Sequence, residues 1–167
     1  VGQLACGLLY ICEGARYPTS QRVMFGNANP QMIRSFLFLL RRHFPVDEKK
    51  FRARVTHRWD QDGEALRQFW ADVTEIPLTQ FYAPYADRRT KGKPTQRADY
   101  HGVCCVVYPS TTLQYQLQAI GESMLSYREQ VGGTSNPVSN RNLVQESPAH
   151  YEAISRVEFS ENQESVE

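Results

Sequence analysis

The chain lacks any apolar run approaching the ~18–20 residues that cross a bilayer. The longest candidate, Leu4 to Cys12, is too short and closes on Glu13. No positively charged leader and no cleavage-like site precede it, so no secretory signal and no membrane association are expected. Cysteine is scarce. Cys6, Cys12, Cys104 and Cys105 are the four, and none sit at C-x-x-C spacing, which leaves no zinc-ribbon framework. Cys104 and Cys105 are adjacent on an expected strand and point to opposite faces. Free thiols packed as small apolar groups, in a reducing cytoplasmic compartment, are the expectation. His43, His57, His101 and His150 show no metal-ligand spacing; His57 reads as a hydrogen-bonded core residue. There is no phosphate-binding Walker loop, no dinucleotide fingerprint and no Gly-x-Ser-x-Gly elbow. No internal repeat of useful length occurs. These absences argue against membrane proteins, disulfide-stapled scaffolds, P-loop enzymes and elbow-type serine hydrolases.

What is present is an ordinary globular composition over 167 residues, 41% apolar and 22% charged. That length suits one domain with one real core. The formal charge of +1 hides an asymmetry. Residues 1–130 hold 17 Lys and Arg against 12 Asp and Glu, a net of +5, whereas residues 131–167 hold Arg141 and Arg156 against six glutamates, a net of −4. A basic α/β domain over 1–130 and a linker with a disordered acidic tail over 131–167 are therefore expected.

Periodicity divides the domain. Residues 3–15 read as a helix without a polar stripe, buried on more than one side and stopped by Gly14. Gln21–Gly26 reads as a short strand. Asn29 caps a helix that has Pro30 in its first turn and runs to about Phe44, with Met32, Phe36, Leu39 and Leu40 as its buried stripe. Phe51–Trp59 alternates: Phe51, Ala53, Val55 and His57 share one face, Arg52, Arg54, Thr56 and Arg58 the other. Asp60 or Asp62 caps a third helix, buried through Leu66, Phe69, Trp70 and Val73. Residues 78–99 read as irregular, ending in a cationic loop. Tyr100–Tyr108 reads as a strand, and Ser110 caps a helix reaching about Glu129. Short alternating strands need one covered face, so the fold class is α/β of the α+β type: a short, mostly antiparallel sheet with helices packed on one face.

Two features carry chemistry. The first is Cys6-Gly7-Leu8-Leu9-Tyr10-Ile11-Cys12-Glu13-Gly14, an apolar helix closed by one carboxylate and a glycine. A helix C-terminus favours cations, so a lone carboxylate there is misplaced as mere surface. Two such carboxylates converging from twin helices could share Mg²⁺, and metal-bound water can attack a phosphodiester. This stretch, with Val23 to Ile33 after it, resembles the LAGLIDADG homing endonucleases over about residues 3–128. The resemblance implies a saddle-shaped sheet that grips DNA, a motif helix at a homodimer interface through Leu4, Gly7, Leu8 and Ile11, and Glu13 as the catalytic carboxylate and ligand of Mg²⁺. Leu8 stands where that family has a small residue, and a single motif copy makes a complete site depend on a second chain.

The second feature is basic. Arg52, Arg54 and Arg58 share one strand face, and Arg88, Arg89, Lys91, Lys93 and Arg97 crowd one loop. Strand arginines can reach base edges, and a loop of lysines and arginines suits phosphates. The expected partner is double-stranded DNA. Three readings stay open: a homodimeric, Mg²⁺-dependent endonuclease; a non-cleaving DNA-binding regulator on the same fold; and a protein–protein interaction module.

Overall fold

The computed structural model describes residues 1–14 and 20–131 of the protein, with side chains through residue 126. The tail expected over 131–167 lies, from residue 132 on, outside the described residues. Four helices and a four-stranded mixed sheet form an α+β fold with helices packed on the sheet.

The first helix, α1, covers Gly2–Glu13 and buries Cys6, Gly7, Tyr10 and Ile11. Gly14 ends it, as its position suggests, but in extended rather than left-handed backbone (φ −81°, ψ 155°). The need for glycine is steric. A Cβ there would lie 2.5 Å from the Tyr10 ring and carbonyl, because Gly14 bridges to Phe25 of the first strand. That strand, β1, is Val23–Asn27. Helix α2, Pro30–His43, starts as read: the Asn29 side chain accepts from the Gln31 N–H at 2.9 Å with Pro30 in the first turn. Its buried stripe is Ile33, Phe36, Leu37 and Leu40, rotated from the expected one; Met32 and Leu39 are half-buried. Phe36, common to both stripes, stacks on Phe25 at 4.0 Å between ring centroids.

Strand β2, Arg52–Arg58, alternates buried and half-buried throughout. Helix α3, Gly63–Thr74, is capped by Asp62, which accepts from Glu64 N and Ala65 N. Its Trp70 is fully buried and donates Nε1–H to the His101 carbonyl at 2.7 Å. Strand β3, Tyr85–Asp87, lies inside the stretch expected to be irregular. Three residues with one proline beforehand carry too little alternation to announce a strand; pairing with β2 creates it. Gly102 then turns the chain at φ +71°, where a Cβ would meet the Thr56 carbonyl at 2.6 Å. Strand β4 is Val103–Tyr108 and helix α4 is Thr111–Val131.

The sheet order is β1-β4-β2-β3. β4 is antiparallel to β1 and to β2, and β3 runs parallel to β2 at the edge. This register puts Val23 and Phe25, Ala53 and Val55, and Cys104, Val106 and Tyr108 on the core face. The opposite face carries Met24, Cys105 and Val107, which are also buried, and then the half-buried Arg52, Arg54, Thr56 and Arg58. The sheet is thus apolar on both sides along β1 and β4 and turns polar at β2.

Helix α4 packs on α1 inside the same chain. Gly7 and Gly121 meet at the crossing: a Cβ on Gly121 would lie 2.5 Å from the Gly7 carbonyl oxygen and 2.6 Å from Ile11 Cγ2. Such an approach is open only to residues without a side chain.

Candidate functional site

Glu13 is half-buried at the end of α1. Asn27, at the end of β1, donates Nδ2–H to its Oε2 at 3.0 Å, and Asn27 Oδ1 accepts from Asn29 N at 2.8 Å. One asparagine therefore ties the end of α1 to the start of α2. Among the described residues no three His, Cys, Asp or Glu side chains gather into a metal-binding group. The donors here are one carboxylate and one amide that points its NH₂ at it. Magnesium takes one or two protein carboxylates and otherwise keeps water; Glu13 offers one such carboxylate, with Asn27 turned to it through its NH₂.

The four residues expected at a subunit interface separate. Gly7 and Ile11 are buried, and both meet α4 of their own chain at Gly121. The close helix approach is made within the chain, so Gly7 and Ile11 both have an internal partner in α4. Leu8 is half-buried and Leu4 is 42% exposed. Sequence alone could not show that a second glycine, Gly121, stands opposite.

The eight basic residues also divide once their neighbours are known. Arg52 donates Nη1–H to the carbonyls of Lys49 and Phe51, both at 2.7 Å. Arg54 lies over the Tyr82 ring at 5.1 Å and beside Cys105. Arg58 reaches across to the loop, donating to the Lys93 carbonyl at 2.6 Å and the Pro94 carbonyl at 3.3 Å, with Asp60 4.0 Å away. In the loop, Arg89 is paired bidentately with Asp87, and Arg97 with Asp99. Each pairing holds the arginine's pKa above its usual value. Arg88, Lys91 and Lys93 form no ion pair among the described residues; Lys91 Nζ sits 5.3 Å from the centroid of the Trp59 ring. The Asp87/Arg89 and Arg97/Asp99 spacings were visible in sequence as acid and base two apart, a signal outweighed by the cation count.

A cleft lies between the end of β2 and the loop. It measures about 690 Å³ and is open to solvent; Arg58, Lys93, Thr95, Gln96, Arg97 and Tyr100 line most of it. Its walls are fixed by long-range bonds. Asp60 accepts from Thr95 N–H at 2.6 Å and from Thr95 O–H at 2.7 Å, which hold its carboxyl below the usual range. Gln61 donates to the Tyr100 carbonyl at 2.6 Å, and the Trp59 N–H donates to Thr90 Oγ1 at 2.8 Å. Partial burial pushes the Tyr100 phenol up. Trp59, Asp60, Gln61, Thr95 and Tyr100 were not anticipated as parts of one site, because they lie up to about forty residues apart and meet only through β2 and the loop.

His57 is where the alternation put it, 8% exposed, with Nδ1 2.8 Å from the Arg58 carbonyl. That contact requires the proton on Nδ1. No helix among the described residues is long and apolar enough to cross a membrane. The chain matches no protein-family model, and comparison with curated proteins and with solved structures gives no match.

Proposed function

We propose that the protein binds double-stranded DNA through the β2 arginine face and the 88–97 loop. The observation that carries the proposal is the arrangement of β2. Arg52, Arg54, Thr56 and Arg58 occupy alternate, half-buried positions on the face opposite the core, next to a loop whose Arg88, Lys91 and Lys93 hold no ion pair among the described residues. The Arg52 and Arg58 guanidiniums are oriented by backbone carbonyls, so less entropy remains to be lost when they meet a partner. Those carbonyls use only part of each five-donor guanidinium. The loop cations suit phosphates, and the strand suits base edges. The resemblance of Cys6–Gly14 to the LAGLIDADG motif supports the same partner.

Binding without cleavage is the reading that a single chain supports. Glu13 is a single carboxylate, and by the resemblance hydrolysis would take a second copy to bring another. Homodimerisation, if it occurs at α1, would use Leu4 and Leu8, since Gly7 and Ile11 are engaged internally.

The test is fluorescence anisotropy of a labelled duplex library at several salt concentrations. Log affinity should fall linearly with log salt. Replacing Arg88, Lys91 and Lys93 together with alanine should make the slope shallower by up to ~0.9 per lost phosphate contact. Salt-independent binding, or none, would overturn the proposal and leave the protein–protein reading. Duplex cleavage in Mg²⁺ that disappears in Glu13→Gln would restore the nuclease reading.

A further inference from the structure

We infer that the cleft between Arg58 and the 92–100 loop is a pocket for a single unpaired nucleotide of the bound DNA. The inference rests on the DNA-binding reading and adds the form of DNA that the site prefers. At about 690 Å³ the cleft lies within the range of small-molecule pockets. Arg58, Lys93 and Arg97 line it, three cations that suit one phosphate group; the neighbouring Asp60 and Asp99 are engaged by Thr95 and Arg97. Tyr100 adds an aromatic ring, against which a base can stack, and Gln96 an amide with both donor and acceptor groups for a base edge. A phosphate, a ring and an amide are the three recognition elements of a nucleotide. A base still paired in a duplex brings its partner with it and cannot enter such a pocket, so the nucleotide must leave the stack.

The pocket is built before any ligand arrives. Arg58 holds the Lys93 and Pro94 carbonyls, Asp60 holds Thr95 through two bonds, and Gln61 holds the Tyr100 carbonyl. Its outer cation is the exception. The Arg97–Asp99 pair is about three-quarters exposed on both sides, so it is weak and can open to a phosphate.

The experiment compares short duplexes that are fully paired with the same duplexes carrying one extrahelical thymidine, by anisotropy with the full chain. The extrahelical form should bind more tightly. Tyr100→Ala should abolish that preference, a loss of about fivefold to 150-fold, the range that stacking one base on a ring supplies. Affinity for the paired duplex should be unchanged. Tyr100→Phe, which keeps the ring, should retain the preference. A 2-aminopurine at the extrahelical position should change emission on binding to the unmodified protein and not to Tyr100→Ala. An unchanged thermal midpoint shows that the variant is folded. If it is not, loss of the preference in Gln96→Ala serves in its place. Equal affinity for both duplexes overturns the pocket while leaving DNA binding intact. Failure to bind either duplex removes the DNA reading itself, and the pocket with it.

Discussion

Replacing Gly121 with alanine tests whether the close helix contact belongs to one chain. Two effects oppose each other. Alanine is the better helix former by about 0.8–1.0 kcal/mol. The new Cβ would stand 2.5 Å from the Gly7 carbonyl oxygen, 2.6 Å from Ile11 Cγ2 and 3.0 Å from the Gly7 carbonyl carbon. Two of these are backbone atoms, and Ile11 is β-branched with a restricted χ1. Neither can step aside, so α1 and α4 must separate. Overpacking of this kind costs about 1–3 kcal/mol. The net is a destabilisation of roughly 0–2 kcal/mol, with about 1 as the centre, or a melting midpoint lower by roughly 2–8 °C. Ser123→Ala, at an exposed position of the same helix, loses a hydroxyl bond to the Ile120 carbonyl within the helix and meets no neighbour across α1, so it should change stability by no more than a few tenths of a kcal/mol. Thermal denaturation followed by circular dichroism at several protein concentrations is the assay. A stabilised Gly121→Ala would refute the packing argument. A midpoint shift that grows on dilution would place the glycine seam between chains.

Burial raises the thiol pKa of Cys6 to about 12, of Cys105 to about 12, and of Cys104 well above its usual value. A raised folded pKa means that the unfolded chain ionises first, so stability is full below about pH 9 and falls above it, by about 1.4 kcal/mol per pH unit per thiol. Cys105→Ala should flatten the alkaline limb of a urea-denaturation series by one such increment; an unaltered limb would contradict it. Under native conditions Cys12, the exposed thiol, should react with a thiol reagent ahead of the other three, as mass spectrometry of the labelled peptides would show. Asp60 behaves in the opposite sense. Its carboxyl is lowered chiefly by the Thr95 bonds, so its hold on the loop is present above the usual carboxylate range and is lost as pH falls through the lowered value. Protection of the Thr95 amide, taken against its intrinsic exchange rate at each pH, should fall on acidification, and in Asp60→Asn should be low at every pH; a high, pH-independent protection of Thr95 in both proteins would disprove the link. Arg58→Ala should lower protection of the Lys93 and Thr95 amides as well, with Arg58→Lys no substitute because a lysine cannot span both carbonyls from a fixed fork.

Local chemistry was enough to place most of the elements. Asn29-Pro30 started α2, an aspartate at 60 or 62 started α3, and alternation from Phe51 gave β2 its two faces, because caps and period-two patterns act within a few residues and leave their mark in sequence. The pairing of Gly7 with Gly121, the three-residue β3, and the rotation of α2 were decided elsewhere. Each depends on an atom far along the chain, and no local pattern encodes which helix a glycine will meet. The candidate site shows the same division. Sequence identified where cations cluster. The tertiary structure decided which of them are neutralised by Asp87 and Asp99, which brace the loop as Arg58 does, and which remain without an ion pair among the described residues, because a charge acts through its neighbours in space, and those neighbours are set by the fold.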